Sequence, residues 1–117
     1  MVASANGVAT VAAAWKAARD GVRPVRAAVD AVGIVEADPE DTSVGYGGLP
    51  NERGVVQLDS ACMDGPTHNA GGVASLEDIK HPAQVAHLVM ERTDHVLIVG
   101  PGAREFALSH GFEAEDL

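Results

Sequence analysis

Val55-Val-Gln-Leu-Asp-Ser-Ala-Cys-Met63, then Asp64-Gly65-Pro66, then Asn69-Ala-Gly-Gly-Val-Ala-Ser-Leu76, is the stretch that decides the fold. The first run is apolar enough for a strand, and Asp-Gly-Pro is strong turn chemistry. The second run is small and apolar, so it reads as the hairpin partner of the first. Its Gly71-Gly72 pair marks a place where another backbone comes close. Strands joined by so short a turn run antiparallel. A doubly wound parallel sheet is thereby excluded, and a layered α/β protein with a mixed or antiparallel sheet is expected.

Downstream, His81-Pro82 opens a helix with Val85, Leu88 and Val89 facing inward and Arg92 near its C-terminal end. Val96-Leu-Ile-Val99 is wholly apolar and reads as a strand covered on both faces. Gly100-Pro-Gly102 leads into a last short helix, stopped by Gly111 and followed by the acidic tail Glu113, Glu115 and Asp116.

Upstream, residues 42–54 hold four Gly and one Pro, too many for a regular element and in too mixed a sequence for a flexible linker. They are expected to form a structured loop. Before it, Pro24 starts a helix with the stripe Val25, Ala28, Val29, Val32 and Val35, ended by Pro39 in the acidic run from Glu36 to Asp41. An earlier helix carries Val8, Val11, Ala12, Trp15 and Ala18 on one face and stops at Gly21. Val2-Ala3-Ser4-Ala5 reads as a first strand, closed by the turn pair Asn6-Gly7. The expected order is β, α, α, loop, β, β, α, β, α.

The chain has 117 residues, 46% of them hydrophobic, with a net charge of −9. That length suits one domain. Only 3% of residues are aromatic, so the apolar material is mainly Ala and Val and a core built from it alone is thin. An acidic chain without a basic face is a poor partner for nucleic acid. No apolar run is long enough for a membrane span, and no basic segment precedes an apolar one as in a secretory signal. A single cysteine, Cys62, permits a reducing compartment, and a cytoplasmic protein is expected.

Several groupings invite chemistry. Asp59, Cys62, Asp64 and His68 are close in sequence, but their spacing matches no zinc pattern, and alternation along a strand puts Asp59 and Cys62 on opposite faces. A Cys62–His68 nucleophile pair meets the same obstacle, and a lone strand cysteine reads as packing. Gly100-Pro-Gly102 lacks both the third glycine of a dinucleotide loop, since position 105 is Glu105, and the lysine of a phosphate loop. His87 and His95 read as structural and Trp15 as core. No metal and no cofactor are expected.

Five segments carry a resemblance. They are Ser43-Val-Gly-Tyr-Gly-Gly-Leu-Pro-Asn51, Leu58-Asp59 with Met63-Asp64-Gly65-Pro-Thr67, Ile79-Lys80, Val89-Met-Glu-Arg-Thr-Asp-His-Val-Leu97, and His110-Gly-Phe112 with Glu115-Asp-Leu117. In this order and spacing the chain resembles the N-terminal half of glycosylasparaginases and of isoaspartyl peptidase/asparaginases, which are N-terminal-nucleophile hydrolases. The resemblance runs from Val2 to Leu117.

It implies a four-layer αββα fold of which residues 1–117 form about half, as the α subunit of a domain completed by a separate β chain. Such enzymes cut their own precursor before a Thr, and two copies of each chain assemble into an (αβ)2 heterotetramer. The new N-terminal Thr supplies the nucleophilic hydroxyl and, through its α-amino group, the base. The implied substrate is a small asparagine derivative, its side-chain amide linked to N-acetylglucosamine in the glycosylasparaginases. β-Aspartyl peptides or free asparagine are the alternative.

The nucleophile and the oxyanion donors are then expected on the β chain, with no catalytic residue in this one. Ser43 is expected to hydrogen-bond the amino group of that Thr. Ser4, with Gly45 and Gly47 of the loop, is the expected substrate-binding set. Glycosylasparaginases usually carry a Trp where this chain has Ser4, which opens the smaller substrates. A reading of another class, a non-catalytic acidic α/β binding module, rests on the absence of a self-sufficient catalytic group.

Overall fold

The structure is a computed structural model that describes residues 1–117. A 3-10 turn, Ala5–Gly7, leads into α1 (Val8–Arg19) and α2 (Pro24–Glu36). A second 3-10 turn, Gly45–Gly47, precedes β1 (Leu58–Met63) and β2 (Ala70–Leu76). Then follow α3 (Pro82–Arg92), β3 (Leu97–Val99) and α4 (Gly100–Ser109). The sheet runs β1-β2-β3, with β1 and β2 antiparallel and β2 and β3 parallel. The mixed sheet expected from the hairpin is therefore present.

The hairpin register pairs Met63 with Ala70 and Ser60 with Val73, then slips so that Leu58 faces Leu76. The extra residue on β2 is absorbed at Ser75, which turns left-handed at φ 49. Asp59 stabilises this bulge by accepting the Ser75 backbone N–H at 2.7 Å. Asp59→Ala removes that acceptor and should cost about 1 kcal/mol. The expected readout is a lower urea midpoint with an unchanged slope; an unchanged midpoint would show that water serves the N–H equally well.

Helix α3 lies directly on β2. A side chain at Gly71 would stand 2.2 Å from the Ala86 carbonyl and 2.5 Å from the Met90 nitrogen, so only glycine admits this approach. Val73, Leu76, Ile79, Val85, Ala86, Val89, Ala103 and Ala107 close the core between the sheet, α3 and α4. It is wholly aliphatic, and burying each larger side chain contributes about 2 kcal/mol. Gly21 and Gly111 stop α1 and α4 with φ of 95° and 88°, as expected.

Three expectations are corrected. Val2–Ala5 forms no strand: residues 1–4 are irregular and Ala5 begins the first 3-10 turn. A strand needs a neighbour to pair with, and here the local Ser4 and Asn6 side chains bond each other instead (2.5 Å). Trp15 is 53% exposed, because α1 packs through the small residues Thr10 and Ala14, a face rotated from the one its hydrophobic residues mark. β3 is covered on one face only. Ile98 packs against the core, while Leu97 and Val99 are more than half exposed, since the helices all lie on the other side of the sheet. Ala61 and Met63 of β1 share that open face.

Candidate functional site

The Gly-rich loop is built against the end of α2. Gly45 has φ 58, and a side chain there would meet the Glu36 carbonyl oxygen at 2.1 Å and its Cα at 2.4 Å. At Gly47 a side chain would stand 2.5 Å from the carbonyls of Pro39 and Asp41. The glycines are thus contact surfaces by which the segment is laid onto the chain that precedes it, and the loop is structured as expected.

That packing presents Ser43 at the surface, hydrogen-bonded on both sides. Its Oγ donates to Asp41 Oδ1 at 2.5 Å, and its backbone N–H donates to the same oxygen at 2.8 Å. Asn6 Nδ2 donates to Ser43 Oγ at 3.0 Å and to Asp41 Oδ2 at 3.1 Å. Ser4 Oγ in turn donates to Asn6 Oδ1 at 2.5 Å. Ser4 and Ser43, 39 positions apart in the sequence, therefore belong to one polar cluster with Asn6 as its bridge. Hydrogen bonds from the Ser43 hydroxyl, then from the Ser43 N–H and Asn6, hold the Asp41 carboxyl below its usual range and keep it ionised.

Ser4 and Asn6 also line a groove of about 320 Å³ between the N-terminal segment, α1 and α2, walled by Val11, Ala28, Val32 and Val44. Gly45 and Gly47 stand behind Val44 and away from this groove; their side-chain directions point into the protein. Any contribution from them to binding is through the backbone.

A second polar centre went unread in the sequence. Glu36, last residue of α2, is fully buried, its carboxylate accepting the Ala83 N–H at 3.0 Å and lying 3.3 Å from His81 Nδ1. Ala83 sits in the first turn of α3, so Glu36 caps that helix from outside. Burial pushes the Glu36 carboxyl up to about 7, against which the Ala83 N–H acts. Burial, then the charge of Lys80, pulls the His81 imidazole down, opposed by Glu115. Both shifts favour the uncharged pair, with the proton on Glu36, over an ion pair.

The other groupings stay apart. Asp59 points to the open face and Cys62 to the core side, where burial raises its thiol. Asp64 is buried at the hairpin turn, accepting from Thr67 Oγ1 at 2.7 Å and paired with Arg23 at 3.0 Å. Hydrogen bonding from Thr67, against some desolvation, holds its carboxyl low, with Arg23 adding to the effect. His68 lies in the turn itself, at φ 59. No three His, Cys, Asp or Glu residues are arranged to hold a metal ion. His87 is buried in α3, its Nε2 unpaired and 3.6 Å from Glu91, whereas His95 is exposed. Gly100-Pro-Gly102 is a tight strand-to-helix turn, with β3 ending at Val99 and α4 beginning at Gly100. No helix is long and apolar enough to cross a membrane.

The sequence profile of the family described as Asparaginase matches residues 3–117. The chain is 50% identical over 104 residues to N(4)-(beta-N-acetylglucosaminyl)-L-asparaginase of Elizabethkingia miricola, covering 89% of this chain and 30% of that protein. It is 40% identical over 105 residues to the enzyme of the same name from Mus musculus, covering 90% and 30%. It is 41% identical over 101 residues to the probable isoaspartyl peptidase/L-asparaginase 3 of Arabidopsis thaliana, covering 86% and 28%. The chain belongs to the asparaginase family. It spans about three tenths of the length of these relatives.

Proposed function

We propose that this chain is the α-subunit portion of an N-terminal-nucleophile amidohydrolase that cleaves the side-chain amide of glycosylated asparagine. The observation that carries the reading is the 50% identity, over 89% of the chain, to a protein named for that reaction. The Ser43 cluster adds support, because a hydroxyl fixed at the surface of a rigid loop suits the orientation of a group on another segment. In this reading the downstream chain begins with Thr, whose α-amino group takes the proton of its own hydroxyl. The oxygen attacks the amide carbonyl, the amine leaves, and water releases the acyl group. Donors on the downstream chain stabilise the tetrahedral oxyanion.

The same reading has the remainder of the protein complete an αββα domain, assembled as (αβ)2. The open apolar face with Ala61, Met63, Leu97 and Val99 supports a second sheet layer there. Intact mass of the purified protein should give two polypeptides from one precursor, the second starting with Thr. A single uncut chain with full activity would overturn this assembly.

A second substrate reading, β-aspartyl peptides or asparagine, is favoured by Ser4 at the position where glycosylasparaginases usually carry Trp, and by the 41% identity to the Arabidopsis protein. Comparing kcat/KM for N-acetylglucosaminyl-asparagine with that for a β-aspartyl dipeptide decides between them. Ser43→Ala in the assembled protein should lower kcat by roughly 10- to 100-fold, since Ser43 orients the general base. An unchanged kcat removes Ser43 from the site.

A further inference from the structure

The hydrogen-bond inventory of Ser43 restricts what its hydroxyl can do. A serine hydroxyl has one proton and two acceptor positions. An ionised Asp41 carboxylate only accepts, so the 2.5 Å contact commits the Ser43 proton to Asp41. One acceptor position is taken by Asn6 Nδ2 at 3.0 Å. The orientation of Asn6 is itself determined: turned over, its carbonyl would face the Asp41 carboxylate, and its NH2 would lose both acceptors. What remains to Ser43 is one acceptor position, which only a donor can use.

We propose that Asp41, with Asn6, is a positioning residue that fixes the Ser43 hydroxyl as a hydrogen-bond acceptor and places a carboxylate charge one hydroxyl behind the amine that Ser43 binds. The inference rests on the reading of Ser43 given above. An amine held through its N–H keeps its lone pair free to take the proton of the adjacent nucleophile. The negative charge relayed through Ser43 favours the ammonium form, so it makes the amine a stronger base at the cost of a smaller neutral fraction. No cation pairs with Asp41: its partners are the Ser43 hydroxyl and N–H, Asn6 and the Val44 N–H. The other charged groups around this loop are Glu36, whose backbone lies against Gly45 and whose carboxyl turns in to α3, Asp38, which accepts the Glu40 N–H at 2.9 Å, Glu40 itself, and Glu52 with Arg53 further along the loop. All are left in place in every variant below, so their titration is common to the profiles compared.

The test is the pH dependence of kcat/KM in the assembled protein for wild type, Asp41→Asn, Asp41→Ser and Asp41→Glu, with melting curves alongside. Two neutral variants are used so that one that folds poorly does not decide the outcome. The acid limb of the profile reports the amine in the free enzyme. Both neutral variants should move that limb down by about 0.5–1 pH unit, because the charge that favours the ammonium is gone. Asp41→Glu, which keeps the charge, should leave the limb where the wild type has it. A limb unmoved in the neutral variants, with activity merely reduced, would show that Asp41 only holds the turn at Ser43, and the inference falls. A limb that moves equally in Asp41→Glu also overturns it, since geometry and not charge would then be responsible. Failure of the underlying reading looks different: wild type hydrolyses no asparagine amide, or Ser43→Ala retains full kcat.

Discussion

Gly45→Ala is expected to destabilise the protein by about 3 kcal/mol, the larger part of it from packing. Holding an L-residue at φ 58 costs roughly 1–2 kcal/mol. The new methyl would also stand 2.1 Å from the Glu36 carbonyl oxygen, in the last turn of α2, where no side-chain rotation can make room. Overpacking of this kind costs about 1–3 kcal/mol. The loop must lift from α2, and Ser43 lifts with it, so turnover should fall along with stability. Gly54 separates the two contributions. It too has a positive φ, 77°, yet nothing lies within 4 Å of its would-be side chain. Gly54→Ala should therefore lose only about 1 kcal/mol and leave turnover unchanged. Equal losses in urea midpoint for the two variants would refute the packing argument.

What could be read in the sequence was what local chemistry decides. The hairpin from Leu58 to Leu76 announces itself by alternation and turn residues, and the stops at Gly21 and Gly111 need only a left-handed residue after a helical run. The first strand failed because pairing is non-local: Val2–Ala5 has suitable residues and no neighbour. Trp15 failed for a related reason. The buried face of α1 is chosen by close approach to α2, which Ala14 permits and an indole does not. Ser4 and Ser43 entered through family resemblance alone. Asn6 and Asp41, which tie them together, carried no signal, because their contacts cross 35 to 37 positions of sequence. Glu36 was hidden in an acidic run that otherwise faces solvent; Asp38 and Glu40 are exposed, and only Glu36 turns inward to cap α3.

That buried carboxylate gives the second large expectation. Its folded-state value of about 7 lies above the 4.5 of an ordinary glutamate, so the folded protein holds the Glu36 proton more tightly than the unfolded chain does. Between pH 4.5 and 7 the folded state thus binds more protons, and this group's contribution to stability is lost as pH rises. The full loss amounts to about 3 kcal/mol above pH 7, as an order of magnitude. His81 acts in the opposite sense: its lowered value means stability is lost as pH falls below 6.5. Asp41 and Asp64, both lowered, act only as pH falls below 3.8. The difference between wild type and Glu36→Gln removes these common contributions. A glutamine keeps both hydrogen bonds, its carbonyl accepting from Ala83 and its amide donating to His81, and it cannot ionise. The variant should match the wild type at pH 4.5 and exceed it progressively through neutrality, by up to about 3 kcal/mol at pH 8. If glutamine is equally destabilising at every pH, the carboxylate is ionised in the folded protein and caps α3 as a charge.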